Sequence, residues 1–228
     1  MVIQVVTLFP EMFSGVFDMS MVKRARLTGR LDLRVIPLRA FGVGIHRQTD
    51  DYPFGGAVGM LLRCDVVVPA VEWCMMHEKT PARVILTSPQ GRSFTQRLAL
   101  HLSRQDHLII VAGHYEGIDE RVRLLLQADE VSIGDYVLTG GELPAMVMVD
   151  AVSRLLPGVL GSDDSAKDDS FSRADGWLEG PQYTRPVQYR NLSVPDVLRQ
   201  GNHRAIAEFR EEMARQRTRA RRPDLVSD

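Results

Sequence analysis

Short apolar, β-rich runs recur along the first two-thirds of the chain, and polar stretches containing glycine separate them. Val2–Leu8, Arg83–Thr87, Leu108–Ala112 and Glu130–Ile133 read as buried strands. Leu31–Leu38 alternates apolar and polar positions, which predicts a strand with one wetter face. Between these runs the spacing predicts helices over Ser20–Thr28, Asp65–His77, Thr95–Leu102, Ile118–Leu126 and Glu142–Leu156. Gly29 supplies a stop for the first of them, because glycine adopts the left-handed conformation that commonly ends a helix. Strands separated by single helices require crossover connections, so the pattern predicts an α/β fold with a mainly parallel sheet.

That rhythm lapses near Pro157–Gly158. Residues 161–176, GSDDSAKDDSFSRADG, are rich in serine and aspartate and too poor in apolar side chains to fold alone. A linker or a functional lid is expected there. Beyond it, Val197–Arg219 reads as helical, with a break at Gly201–Asn202 and Asn202 placed to cap the last helix. Three units are therefore expected: a domain over 1–160, the linker over 161–176 and a small basic helical domain over 177–228.

Composition sharpens the picture at that end only. The 228 residues carry 28 Lys and Arg against 29 Asp and Glu, a net charge of −1, so the chain as a whole does not resemble a polyanion binder. Yet eight arginines lie between Arg199 and Arg222 against three glutamates. Pairs such as Glu208 with Arg204 or Glu212 with Arg215 account for some of them as a solvated face; the excess points to a polyanion. No apolar run approaches the roughly 20 residues of a membrane span. The opening MVIQVVTLFPEMF reads as a strand and not as a signal peptide. Cys64 and Cys74 form no CxxC pair, and a reducing, cytoplasmic setting is expected.

Neither a GxxxxGK[ST] loop nor a GxGxxG turn after the first strand is present, which removes the two common phosphate-cradling motifs. Glycines cluster instead after the later strands, in SPQG (Ser88–Gly91), AGHYEGIDER (Ala112–Arg121) and IGDYVLTGGELPA (Ile133–Ala145). In open α/β sheets ligands bind beyond the carboxyl ends of the strands. Glycine there lets main-chain groups approach a ligand closely, so three such loops predict a small-molecule pocket read largely by backbone. The segment Glu142–Leu156 is apolar nearly all round, which predicts a buried helix. Its later charges, Asp150 and Arg154, lie one turn apart; they either satisfy each other or hold an arginine rigidly at a site edge. His46, Asp50, Asp51 and Tyr52–Met60 make a second polar loop, in which a metal site lacks further ligands and a surface loop is expected.

SPQG, YEGIDER, GDYVLTGGELPA, SRLLPGVLG, the triplet Asp169–Phe171, GPQYTRP (Gly180–Pro186) and RRPDL together resemble the bacterial tRNA (guanine-N1-)-methyltransferase family, TrmD, colinearly from Leu8–Pro10 to the last residues. The resemblance implies a SPOUT methyltransferase: a homodimer with composite active sites, whose mainly parallel sheet carries a deep trefoil knot. That knot runs against the general expectation that connections are unknotted. S-adenosylmethionine is then the methyl donor, held by Ser88, Pro89 and Gln90, by Gly113, Tyr115, Glu116 and Gly117, by Ile133, Gly134, Asp135, Tyr136, Val137 and Leu138, and by Gly140, Gly141 and Pro144.

The implied reaction methylates N1 of the guanosine immediately 3′ of the anticodon in tRNA, with Asp169 as general base and Arg154 stabilising charge on the guanine. His46, Asp50, Gly59, Ser170, Arg215, Arg217 and Arg219 are the expected tRNA contacts. Magnesium dependence belongs to the family; Glu116 is its candidate ligand, although the spacing defines no cation site. Ala57 stands where the family loop GGGxGM has its third glycine, and the stretch after the Asp169 triplet is slightly longer, leaving Glu179 as the matching acid. Two other readings remain: a SPOUT methyltransferase acting on another RNA position, and an RNA-binding module that keeps the fold without the chemistry.

Overall fold

The computed structural model describes residues 1–160, 169–173 and 175–226. In chain order the elements are β1 (Val2–Thr7), α1 (Ser14–Phe17), α2 (Ser20–Leu27), β2 (Asp32–Pro37), β3 (Asp50–Asp51), β4 (Leu61–Leu62), α3 (Cys64–Met76), β5 (Arg83–Ser93), α4 (Gln96–Leu102), β6 (His107–Val111), α5 (Glu120–Leu126), β7 (Asp129–Ser132), α6 (Glu142–Ser153), β8 (Gln188–Tyr189), β9 (Leu192–Ser193) and α7 (His203–Arg221). They divide into two compact units, Met1–Gly161 and Ser162–Asp228.

Five strands of the first unit form one sheet in the order β2-β1-β6-β5-β7. Its four pairings are all parallel. The strand period of two sends alternate side chains to opposite faces. Ile3, Val5, Ile85, Leu108 and Ile110 join Val22, Leu98, Leu102, Met148 and Val152 in one core, against α2, α4 and α6. Val6, Val84, Leu86, Ile109 and Val111 join Val66, Val67, Val71 and Val122 in the other, against α3 and α5. Every residue of β6 is buried, as suits a central strand covered on both faces. His107 within it is satisfied by Gln4 of the neighbouring strand, Nε2 to Oε1 at 2.8 Å.

The mixed α/β class and the parallel sheet agree with the sequence reading. Four local expectations change. β5 does not end at Thr87; it runs to Ser93, and its pairing with β7 slips between Thr87 and Arg92, so SPQG is a bulge inside a strand. Gly91 makes that bulge possible, since a Cβ there would sit 2.3 Å from the Val131 nitrogen. α6 is not apolar to the core all round: Leu143 and Val147 are exposed and, with Asp150, form an open stripe. α5 begins two residues late, because Asp119 caps it by accepting from the Arg121 backbone nitrogen. The hairpins β3–β4 and β8–β9 carry no strong alternation and are additions to the predicted set.

In the second unit, Asn202 caps α7 as expected, accepting from the Ala205 nitrogen at 3.2 Å. The preceding Asp196–Arg199 is a separate single 3-10 turn. Thr218, fully buried on α7, bonds back to the Ala214 carbonyl at 2.7 Å and accepts from the Leu178 nitrogen at 2.9 Å. Gly180 lies flush on the same helix, where a Cβ would stand 3.0 Å from the Arg210 carbonyl oxygen.

Candidate active site

The bulge of β5 and the two glycine loops that follow β6 and β7 converge on one space. Thr87, at the bulge of β5, anchors them: its hydroxyl donates to the Val111 carbonyl at 3.2 Å and accepts the Gly113 nitrogen at 3.0 Å. The Gly141 nitrogen in turn bonds the Gly113 carbonyl at 2.6 Å. This closeness requires glycine, since a Cβ on Gly141 would lie 1.9 Å from Thr87 Oγ1 and 2.6 Å from the Gly113 nitrogen. Tyr115 holds φ at +58°, a left-handed conformation unfavourable to a bulky residue. Such outliers persist where the surroundings over-determine them, and they concentrate at functional sites.

The loops enclose a cavity of about 240 Å³. Every donor-site residue expected from the sequence lines it except Asp135. Thr87, His114, Thr139, Asp119, Glu120, Arg123 and Glu130 line it as well, and sequence reasoning passed over them. Their signal was position alone: each lies inside or beside a glycine loop already singled out. The acidic lining suits a cationic ligand, and the glycine cradle exposes main-chain N–H and C=O groups, so a positively charged sulfonium nucleoside fits the residues present. Arg121 bonds Asp119 and holds that carboxyl below its ordinary range, against the opposing effect of burial. Tyr115 is shifted the other way, its phenol raised by burial and by the Asp50 carboxylate.

The second polar loop docks on the same site. The Glu116 nitrogen bonds the Met60 carbonyl at 3.0 Å, and the Leu62 nitrogen bonds the Gly117 carbonyl at 2.9 Å. Gly59, at φ +97°, packs so closely that a Cβ would meet Glu116 Cγ at 2.3 Å. Asp50 and Gly59, expected to contact RNA, thus adjoin Tyr115 and Glu116 of the cavity. Ala57 stands exposed in the same loop, and His46 is exposed on the turn bridged by Val43 and Gln48. Among the described residues no group of three His, Cys, Asp or Glu converges on a metal position, so the donors around Glu116 do not make a magnesium site by themselves.

Arg154 is the half-buried C-cap of α6 in the first unit, its nitrogen bonded to the Asp150 carbonyl at 3.2 Å. Asp169 belongs to the second unit. Residues 161–168 and 174 of the expected linker lie outside the described residues. From Asp169 onward the stretch is held by bonds within its own unit: Ser172 N to Asp169 O at 3.0 Å, Phe171 N to Trp177 O at 3.1 Å, and Glu179 N to Ser170 Oγ at 3.0 Å. Arg217 donates to the Glu179 carbonyl at 3.3 Å, which brings Ser170, Glu179 and Arg217 together. Arg215 pairs with Glu212 and Arg204 with Glu208 at 2.9 Å, the pairs the sequence suggested, while Arg219 is exposed.

The whole chain, residues 1–228, matches the family model described as tRNA (Guanine-1)-methyltransferase TrmD. Among curated proteins it is 54% identical to a tRNA (guanine-N(1)-)-methyltransferase of Moorella thermoacetica, over 99% of this chain and 90% of that protein. The protein of the same name from Geobacillus kaustophilus is 52% identical over 99% and 91% of the two chains. One from Staphylococcus epidermidis is 54% identical over the same shares.

Proposed function

The chain belongs to the tRNA (guanine-1)-methyltransferase TrmD family, and from that premise we propose that it transfers a methyl group from S-adenosylmethionine to N1 of the guanosine immediately 3′ of the anticodon in tRNA. The observation that carries the reading is the cavity itself: all but Asp135 of the residues that would bind the donor, scattered over 57 positions from Ser88 to Pro144, line one space. The same family places a trefoil knot at these loops and pairs two subunits, and both belong to the proposal. Among the described residues no helix is long and apolar enough to cross a membrane; a cytoplasmic setting is part of the proposal.

The donor supplies an electrophilic methyl group on a sulfonium. What the chain must do is make N1 a nucleophile, since that nitrogen carries a proton in neutral guanine. Asp169 takes the proton as general base. Arg154 stabilises the negative charge then shared with O6, which also makes the N1 proton easier to lose. The N1 lone pair then displaces the methyl group from sulfur, releasing the thioether, a step that depends chiefly on alignment by the cavity walls. The arginines of α7 and the Ser170–Glu179–Arg217 cluster hold the RNA, with phosphate contacts dominating affinity.

Radiolabelled donor and undermodified tRNA transcripts test the proposal. A transcript with guanosine 3′ of the anticodon is methylated, and one with adenosine there is not. Equal transfer to both transcripts rejects it in favour of another RNA position. Absence of donor binding by calorimetry rejects it in favour of an RNA-binding module.

A further inference from the structure

Glu142 is the first residue of α6 and only 2% exposed, a carboxylate among the most buried polar groups in the protein. Burial of such a group is costly unless it is paired and hydrogen-bonded. Oε1 accepts the hydroxyl of Thr7, itself fully buried at the end of β1, at 2.9 Å. Oε2 lies 3.5 Å from Nδ1 of His114. That nitrogen is shielded from solvent and makes no other hydrogen bond among the described residues. The 3.5 Å separation is a polar contact just short of hydrogen-bond geometry.

The three groups come from three segments far apart in the chain, the end of β1, the loop after β6 and the start of α6. Thr7 ends β1 and also accepts the Phe9 nitrogen at 3.0 Å. The His114 ring sits between Phe9, at 4.8 Å, and Tyr115, at 4.9 Å and nearly perpendicular. Gly140 passes over the pair so closely that a Cβ would lie 2.3 Å from Glu142 Oε2 and 2.6 Å from His114 Nδ1. A methionine or leucine at position 142 would fill a core more cheaply, because burying a polar side chain costs free energy that its hydrogen bonds only partly offset. The Glu142 carboxyl instead sits beside His114, whose ring packs edge-on against Tyr115, the residue whose φ of +58° needs outside support.

We propose that Glu142 is a positioning residue for the methyl-donor site: through Thr7 on one oxygen and His114 on the other it holds the Tyr115 loop in the shape that receives the donor. The inference rests on the donor reading of the cavity. It assigns Glu142 no contact with the reacting atoms; the carboxylate acts through the histidine ring and the tyrosine beyond it.

The test compares Glu142→Ala, Glu142→Gln and Thr7→Val in the full chain, measuring S-adenosylmethionine binding by calorimetry, KM for donor and for tRNA, kcat, and thermal unfolding. Glu142→Ala raises the donor Kd and donor KM by about tenfold or more, while the tRNA KM stays within about twofold and kcat falls less than the donor affinity. Glu142→Gln restores part of the loss, because its amide oxygen still accepts from Thr7. Thr7→Val, which keeps the volume and removes the hydroxyl, weakens donor binding in the same direction. A purely structural role lowers the melting temperature and the active fraction yet leaves the donor Kd of the folded molecules unchanged, and that result overturns the inference. Should Glu142→Ala fail to fold, Glu142→Gln and Thr7→Val decide by the same criterion. No heat of binding with the unsubstituted protein refutes the donor reading itself; normal binding by the parent and by every folded variant refutes the positioning role alone.

Discussion

Gly141 shows how little freedom the cavity wall has. A methyl group there meets Thr87 Oγ1 and the Gly113 nitrogen, and neither is the far end of a flexible side chain. Gly141→Ala therefore costs about 1–3 kcal/mol through overpacking, read as a lower urea midpoint, and donor binding falls with it because the displaced atoms are the wall itself. Unchanged stability and donor affinity would show that the wall yields. Asp169 makes the opposite prediction. It acts on the base proton and not on the donor, so Asp169→Ala abolishes methyl transfer in single-turnover assays and leaves donor affinity within about twofold. Persistent single-turnover rates would remove it from the role of base.

At the scale of elements, α7 carries the testable charge. Arg215 pairs with Glu212, Arg217 donates to the Glu179 carbonyl, and Arg219 is exposed, so the three are not equivalent donors to a phosphate. Replacing all three with glutamine weakens tRNA binding and flattens its dependence on salt, each lost phosphate contact lowering the slope by about 0.7–0.9. Arg219→Gln alone produces a larger share of that change than Arg215→Gln; an unaltered slope in the triple variant would assign the helix another partner. The same helix was legible in advance, since Asn202 is a strong capping residue and the arginine spacing is helical. The central sheet was legible for a related reason: β1, β6 and the first half of β5 are buried between the two cores, so most of their positions are apolar. The bulge of β5 was not, because SPQG is a turn sequence and only the register against β7 reveals that the strand resumes. In the sequence Glu142 marks only the start of a helix. Nothing local distinguishes a buried glutamate from a solvent-facing one at that position, where the helix dipole favours acid in either case; its partners come from 28 and 135 residues away in the chain.

For the molecule as a whole, the decisive fact is that Arg154 and Asp169 are carried by separate compact units. The proposed dimer completes each site with Asp169 from one subunit and Arg154 from the other. Arg154→Ala and Asp169→Ala proteins, each inactive alone, then recover activity when unfolded together and reassembled, since one site of each mixed dimer has both residues intact. Random pairing gives about a quarter of the parent rate; no recovery would place both residues of a site in the same subunit. The packing of Gly113 and Gly141 has a bearing on medicine. An inhibitor that seats itself against peptide groups in this cavity leans on atoms that are the same for every amino acid. A microbe seeking resistance by point mutation must add bulk at one of those glycines and damage its own enzyme, or look elsewhere, so escape variants should surface in the exposed Tyr52–Val58 loop or in raised expression before they surface in the cradle.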